Sequence, residues 1–418
     1  MTYNEFEDNT NDLDYSEDDL DFDYNNFNQA VIWGTDWTTE TIAMQLNKGN
    51  IDLNPSFQRR DAWTDKEKSK LIESLMLGLP VPPIILAENK NKKNSYIVID
   101  GKQRLLTIRR FYAENTDLDF KSKNLSEKDS FKELKIKGLE ILKHINGYNR
   151  KRISENYNEL ICSLENQPIR TIIIKNWPDE SFLYTVFLRL NTGSKRLSPQ
   201  ELRQALIPGP FLNYLDDATA VSQPIQRMLN NKSADTRMKD IELALRFLAY
   251  KLYLEDFKGN LKVFLDESCK RINENWEQVK PKIEELFTQL EESITFSYSL
   301  LENNSPFSRY TNSKCNNRFN RPIFELFTYY FSESQIRDNV KECSKQFVDD
   351  FIKLNDDADF ISYISDTTKD IKKMAGRFEA FRELLSNIPS IKNSKIKLDC
   401  IKYENNKLII EKQMESDV

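Results

Sequence analysis

One stretch constrains the fold of this chain more than any other: VIDGKQRLLTIRRFY, residues 98–112. Its hydrophobic pattern changes period in the middle, from β-favouring residues that lead up to Asp100 to a helical spacing of apolar residues after Gly101. The pattern therefore predicts a strand that ends at Asp100 and a helix that starts at the glycine. Strand and helix must then belong to one mixed domain.

Further strands and helices are predicted on both sides of this junction. Residues 81–100 predict two strands around a polar turn at 88–95, and residues 168–177 contain a β-branched run typical of a strand. From about 198 to 390 the apolar spacing is helical almost throughout, and 395–412 predicts a terminal β-hairpin. The expected fold class is α+β, with a mostly α-helical second half.

Two helix starts carry a capping box, in which a hydroxyl residue is followed three positions later by an acid. The pairs are Thr64 with Glu67 and Ser198 with Glu201. Residues 115–168 are rich in lysine and predict mainly helix, although no fixed repeat is visible.

Composition divides the chain into regions. The net charge is −6, and residues 1–47 contain twelve acids and no Lys or Arg, so the remaining chain carries +6. We expect an acidic disordered arm over 1–30, a nucleotide-binding α/β domain over 31–197, a helical domain over 198–394, and a hairpin and tail over 395–418. The mildly basic body is compatible with a local patch that binds nucleic acid.

Several function classes are excluded by residue usage. A single histidine, His144, rules out metalloproteases with an H-E-x-x-H motif and the usual His-Asn-His nuclease. The five cysteines lack the C-x-x-C spacing of a compact zinc site. No apolar run approaches the ~18 residues of a membrane span, and the acidic start is no secretory signal, so we expect a cytoplasmic protein.

The residues at the junction suggest an anion site. A helix N-terminus presents unpaired N–H groups, a glycine such as Gly101 lets a ligand approach the backbone, and two cations follow. Arg104 is expected to face the ligand or solvent and grip phosphate as a fork, Lys102 to act as a point charge, and Asp100 to hold Mg²⁺. The alternative is an ordinary strand–helix turn with an Asp cap and solvated cations.

Two other clusters also combine polar and cationic residues that could bind a nucleotide. In PSFQRRDAW, Gln58 and Arg59 lie beside aromatic residues that could stack on a base. In FLRLNTGSKRLS, a tight polar loop contains Arg189, Asn191, Thr192 and Gly193. Taken alone, PSFQRRDAW favours a packed loop with surface arginines, and the alternative for FLRLNTGSKRLS is a turn between two helices.

Asp100-Gly101-Lys102-Gln103-Arg104 resembles the D-G-Q-Q-R hallmark of the N-terminal domains of GmrSD-type restriction proteins, which belong with the ParB/sulfiredoxin-like fold. The flanking segments NPSFQRRDAW, KLIESLMLGLPVPPIIL, FLRLNTGSKRLSPQELRQAL and RMKDIELALRFLAY resemble the same family in the expected order. The resemblance covers roughly residues 37–335.

The resemblance implies nucleotide binding, often with hydrolysis, in defence against phage or foreign DNA. In SspE-like phage-defence relatives the hallmark is tied to hydrolysis of nucleoside triphosphates, which points to Asp100, Gln103 and Arg104 as catalytic residues and Gly101 as a binding residue. Lys102 departs from the family's glutamine, and lysine cannot accept a hydrogen bond. Lys102→Gln, which restores the family's usual residue, is expected to be tolerated.

Three functions remain open at this point. The first is an NTPase that uses Mg²⁺, with Gln103 orienting phosphate or water. The second is a nucleotide or DNA sensor that recruits a separate nuclease subunit without turnover. The third is a ParB-like DNA nuclease, which is disfavoured because the sequence shows no metal-ligand spacing.

Overall fold

The structure is a computed structural model. It describes residues 30–51, 53, 63–90, 92–113, 133–179, 182–183, 185–186, 198–231, 233–301, 305–311, 313–365, 370–394, 396–405 and 407–411. Residues 1–29 of the predicted acidic arm lie outside the described residues, as do the following residues of the two polar clusters: Gln58, Arg59, Arg189, Asn191, Thr192 and Gly193.

The described chain forms two compact units. The first contains the described residues up to Pro208 together with Thr236–Met238, and the second contains Gly209–Asp235 and the described residues from Lys239 onward. The domain boundaries expected from composition stay predictions, although by its contacts the helix that follows Ser198 lies in the first unit.

The first unit is an α/β domain built around one four-stranded sheet. Its strands are β1 (Val31–Thr38), β2 (Ile84–Glu88), β3 (Tyr96–Asp100) and β4 (Pro168–Lys175). Its helices are α1 (Thr39–Asn47), α2 (Asp65–Met76), α3 (Lys102–Tyr112), α4 (Arg150–Asn156), α5 (Asn158–Asn166) and α6 (Pro199–Leu206), with a 3₁₀ turn at Lys143–Ile145.

The sheet has the order β1-β4-β2-β3, and only β2 and β4 pair in parallel. The predicted hairpin is present, because β2 and β3 pair antiparallel with Leu86 opposite Val98. Alternation along the strands divides the buried apolar residues between two clusters. One includes Leu86, Val98 and the inner faces of α2 and α3; the other includes Ile85, Ile99 and Leu202 of α6.

Capping chemistry explains where α2 begins. The Thr64 hydroxyl accepts the Glu67 N–H, and the Glu67 carboxylate accepts the Thr64 N–H, as the capping box predicts. Asp65 in the first turn pairs with Arg110 of α3 and with Lys137. Burial acts to raise the pKa of Asp65, but these two cations outweigh it and hold the pKa below its ordinary value.

The expectation of helix over 115–168 is wrong for the described residues before Lys143, which are irregular. Three of their backbone N–H groups donate to side chains of α2, and others donate to backbone carbonyls elsewhere in the unit, such as Ile136 to the Tyr148 carbonyl at 2.8 Å. The Ser69 hydroxyl accepts the Lys137 N–H, and the Glu73 carboxylate accepts the N–H groups of Ile141 and Leu142. Such partners satisfy an irregular segment without a helix.

The second unit is mostly helical, as predicted. Its helices are α7 (Pro210–Val221), α8 (Gln223–Met228), α9 (Lys239–Tyr253), α10 (Leu261–Glu274), α11 (Trp276–Leu300), α12 (Arg321–Phe331), α13 (Ser334–Glu342), α14 (Ser344–Leu354), α15 (Ala358–Ser365), α16 (Ile371–Ser386) and α17 (Pro389–Ser394), with a 3₁₀ turn at Leu254–Asp256. Its strands form two hairpins: β5 (Ser308–Thr311) with β6 (Lys314–Phe319), and β7 (Cys400–Glu404) with β8 (Lys407–Glu411).

Helix α12 lies at the centre of this unit, and ten of its residues, from Pro322 to Phe331, are buried. Phe327 contacts the rings of Phe347, Phe351 and Phe381 from neighbouring helices. Within the described residues, no helix combines the length and apolar character needed to cross a membrane. Together the two units confirm the α+β class.

Candidate functional site

The junction between β3 and α3 has the predicted form. Gly101 is the N-cap residue of α3 and adopts φ 97° and ψ 11°, in the left-handed region that only glycine enters freely. No side chain caps the helix within the described residues. Asp100 is therefore the last residue of the strand, one position before the cap, and its carboxylate does not serve as a cap.

The absence of a side chain at Gly101 also makes room for its neighbours. A Cβ at this position would lie 3.1 Å from Ile84 Cγ1 and 3.3 Å from Arg104 Nη2. The glycine is thus required both by its backbone angles and by the close approach of β2.

Gly101→Ala is expected to lower the free energy of unfolding by about 1–3 kcal/mol, from left-handed strain and the contact with Ile84. Chemical denaturation measures the loss. Gly147→Ala is the control for strain alone, because Gly147 also has positive φ but has open space around its Cβ position. An equal loss in both variants would contradict a steric role for Gly101.

Arg104 lies differently from the expectation that it faces ligand or solvent. Its Nη2 donates to Asp100 Oδ2 at 3.0 Å and to the Pro83 carbonyl at 2.9 Å, and its side chain is only 13% exposed. Its Nε is buried and has no hydrogen-bond partner among the described residues. The guanidinium turns back over the glycine because no Cβ blocks it. Arg104 therefore holds Asp100, whose side chain stays 45% exposed.

Lys102 is buried instead of solvated. Its Nζ lies 2.7 Å from Glu201 Oε1 in α6, and both side chains are 4% exposed. Glu201 also accepts the Ser198 N–H through Oε2 at 2.6 Å, which completes the predicted capping box of α6. One carboxylate therefore joins the first turns of α3 and α6. We identified Glu201 from the sequence only as a capping residue, because its partner lies 99 positions away.

Gln103 connects the hallmark to the entry of α2. Its Oε1 accepts the Trp63 N–H at 3.3 Å, and its own carbonyl accepts the Thr107 hydroxyl at 2.7 Å. The side-chain amide nitrogen is the part of Gln103 that could donate to a phosphate or a water.

The charges of this site are balanced in pairs. Asp100 is matched by Arg104 and Lys102 by Glu201, and Arg237 Nε lies 3.8 Å from the second Glu201 oxygen. A bound polyanion would thus rely on the backbone N–H groups and helix dipole of α3 and on a cation that it brings with it.

One described carboxylate of this site, that of Asp100, could hold a magnesium ion bound together with phosphates. The described residues contain no group of three or more acidic, histidine or cysteine side chains that could hold a metal alone. Mg²⁺, however, commonly uses one or two carboxylates and takes its remaining ligands from substrate phosphates and water. The half-exposed carboxylate of Asp100 meets that requirement.

The first unit thus has a glycine-capped helix that follows a strand of its four-stranded sheet. Residues 42–208 match the model of the family described as "GmrSD restriction endonuclease, N-terminal domain". This part of the chain therefore belongs to the GmrSD-type N-terminal domain family, as the resemblance indicated. No curated protein and no solved structure matches the chain.

Proposed function

We propose that this chain is a nucleotide-dependent component of a restriction-type system that defends the cytoplasm against phage or other foreign DNA. The family match supports the defence role. One observation supports the binding of a nucleotide. Among the described residues, no side chain caps the N-terminus of α3, which lies beside a half-exposed carboxylate, Asp100, that Arg104 holds in place.

In this proposal the phosphates of a nucleoside triphosphate lie against the first turn of α3, where the helix dipole favours negative charge. Asp100 would hold Mg²⁺, which when bound would supply positive charge beyond that of the paired side chains. Arg104 acts as a positioning residue for that carboxylate, and the Gln103 amide nitrogen orients a phosphate oxygen or a water. For turnover, positioning and electrostatics together would stabilise the transferring phosphoryl group.

The second candidate is a sensor that binds nucleotide without turnover and recruits a separate nuclease subunit to DNA. The pairing of Lys102 with Glu201 favours it, because that lysine is then not free to stabilise the charge of a transition state. A phosphate-release assay with the four common triphosphates and Mg²⁺ distinguishes the candidates: release supports the enzyme, and binding without release supports the sensor.

Asp100→Asn is expected to weaken triphosphate binding in Mg²⁺ at least about tenfold, while binding in EDTA changes little. The amide oxygen can still accept from Arg104, so the local geometry is kept. Calorimetry with ATP, GTP, CTP and UTP measures the affinities. Melting curves give a second readout, since a ligand at about 100 times its Kd stabilises the fold by about 2.7 kcal/mol.

Asp36→Asn is the matched control for this experiment. Asp36 is an exposed strand carboxylate that also pairs with an arginine, Arg170, at 3.3 Å. Its loss is expected to leave every affinity unchanged. If no triphosphate binds the wild-type protein, or if Asp100→Asn binds as well as wild type in Mg²⁺, the proposed site is wrong.

A further inference from the structure

Helix α6 buries a polar face. Gln200, Glu201, Arg203 and Gln204 are all among its buried residues, and Gln200, Arg203 and Gln204 have no exposed surface at all. At about 100° per residue, the two glutamines lie about 40° apart on the same side of the helix. Leu202 projects from the other side and belongs to the apolar cluster beneath the sheet.

The amides on this face are incompletely bonded. Within the described part of the chain, neither Oε1 nor Nε2 of Gln204 has a hydrogen-bond partner. Gln200 Oε1 accepts from Arg203 Nη1 at 2.5 Å, but its Nε2 has no partner. Folded proteins rarely bury an amide unpaired, because the donor and acceptor lose their bonds to water. A ligand that bonded this pair of amides would supply the hydrogen bonds that they lack.

The polar face is fixed to the proposed phosphate site. Glu201 lies between the two glutamines in sequence and binds Lys102 in the first turn of α3 at 2.7 Å. Helix α6 also packs against β3, the strand that ends at Asp100. The unpaired amides thus belong to the element that contacts the hallmark directly.

We infer that the Gln204 amide, assisted by Gln200 Nε2, binds the nucleobase of the nucleotide whose phosphates lie at α3. This inference rests on the proposed function and adds the part of the ligand that α6 recognises. Gln204 offers an acceptor and a donor side by side. A base edge presents the matching donor and acceptor, as in the bidentate pairing of glutamine with adenine. Phosphate oxygens only accept, so they would leave Oε1 unpaired.

The test compares triphosphates that have a base with one that has none. Affinities for ATP, GTP, CTP, UTP and inorganic tripolyphosphate are measured by calorimetry with Mg²⁺, in wild type and in Gln204→Leu. We expect at least one nucleotide to bind wild type at least about tenfold more tightly than tripolyphosphate. Gln204→Leu is expected to abolish that margin and to leave the affinity for tripolyphosphate unchanged.

Melting curves without ligand separate this role from a structural one. Leucine has a similar size and removes an unpaired buried amide, so the melting temperature of Gln204→Leu is expected to stay equal or to rise. Gln278→Leu, at an exposed position of α11, controls for added apolar surface. The inference would be overturned if Gln204→Leu melted at a lower temperature but still bound the nucleotide more tightly than tripolyphosphate, because the amide would then be structural.

The remaining outcomes separate the two proposals. If wild type binds nucleotides and tripolyphosphate equally well, or if Gln204→Leu keeps the margin, base recognition by Gln204 is overturned and the phosphate site stands. If wild type binds neither nucleotides nor tripolyphosphate, both the inference and the proposed function fail.

Discussion

Glu325→Gln is expected to lower the free energy of unfolding by about 3–5 kcal/mol, because it removes one charge from a network of buried ion pairs. Glu325 lies in α12, and its side chain is 1% exposed. Oε1 lies 3.2 Å from Arg246 Nη1, and Oε2 lies 2.7 Å from Arg377 Nη2. Both guanidinium groups are fully buried. Glutamine keeps the volume of the side chain, so the expected loss comes from charge and not from a cavity.

The surrounding groups cannot replace the lost carboxylate. Glu242 pairs with Arg246 at 2.8 Å, so among the described ion pairs of these two buried arginines one acid would remain. Two Arg377 nitrogens, Nε and Nη1, already have no hydrogen-bond partner among the described residues. A neutral partner at position 325 would leave Arg377 with an uncompensated charge, which is among the most costly changes that a protein interior can undergo.

Chemical denaturation measures the free energy of unfolding of Glu325→Gln. The control is Glu285→Gln, which removes one charge from an exposed ion pair of the same unit. Glu285 lies 3.0 Å from Lys282, and both side chains are 55% exposed. Because exposed pairs contribute little, the control is expected to stay within about 0.5 kcal/mol of wild type. A loss of less than about 1 kcal/mol for Glu325→Gln would show that buried charge at this position is not required.

The elements whose signals are local could be predicted from the sequence. The start of α6 follows from Ser198 and Glu201, and the end of β3 follows from the change of period at Asp100. The terminal hairpin was also predicted, and Glu404 pairs with Lys407 across its turn. Each of these signals lies within a few residues of the structure that it determines, so no tertiary contact had to be known.

The partners of the hallmark side chains could not be predicted in this way. Arg104 bonds the Pro83 carbonyl, 21 positions earlier, and Lys102 bonds Glu201, 99 positions later. Both contacts depend on how the elements pack around the sheet. A lysine in a first helical turn is usually solvated, and nothing in the local sequence marks this one as buried. The motif thus predicted which residues form the site, but it did not predict that their charges are buried and paired.

The burial of Lys102 changes what its substitution is expected to do. Lys102→Met keeps the length of the side chain but removes its charge. Among the described ion pairs of the buried Glu201, the one with Arg237 Nε, 3.8 Å away, then remains. We expect a loss of about 3–5 kcal/mol in the free energy of unfolding. Lys102→Gln, which the sequence suggested would be tolerated, is expected to lose less than Lys102→Met, since its amide can still donate to Glu201.

The free energy of unfolding is measured by denaturation for wild type, Lys102→Met, Glu201→Gln and the double variant Lys102→Met/Glu201→Gln. These four proteins form a double-mutant cycle for the ion pair, and Lys102→Gln is measured beside them. If the ion pair joins the two helices, the double variant is expected to be more stable than the sum of the single losses predicts, because no uncompensated charge remains. Lys70→Met removes an exposed lysine that pairs with Glu140 at 2.7 Å and is the matched control. Losses that simply add would show that Lys102 and Glu201 act independently. The link between α3 and α6 on which the proposed nucleotide recognition depends would then have to be sought in other contacts.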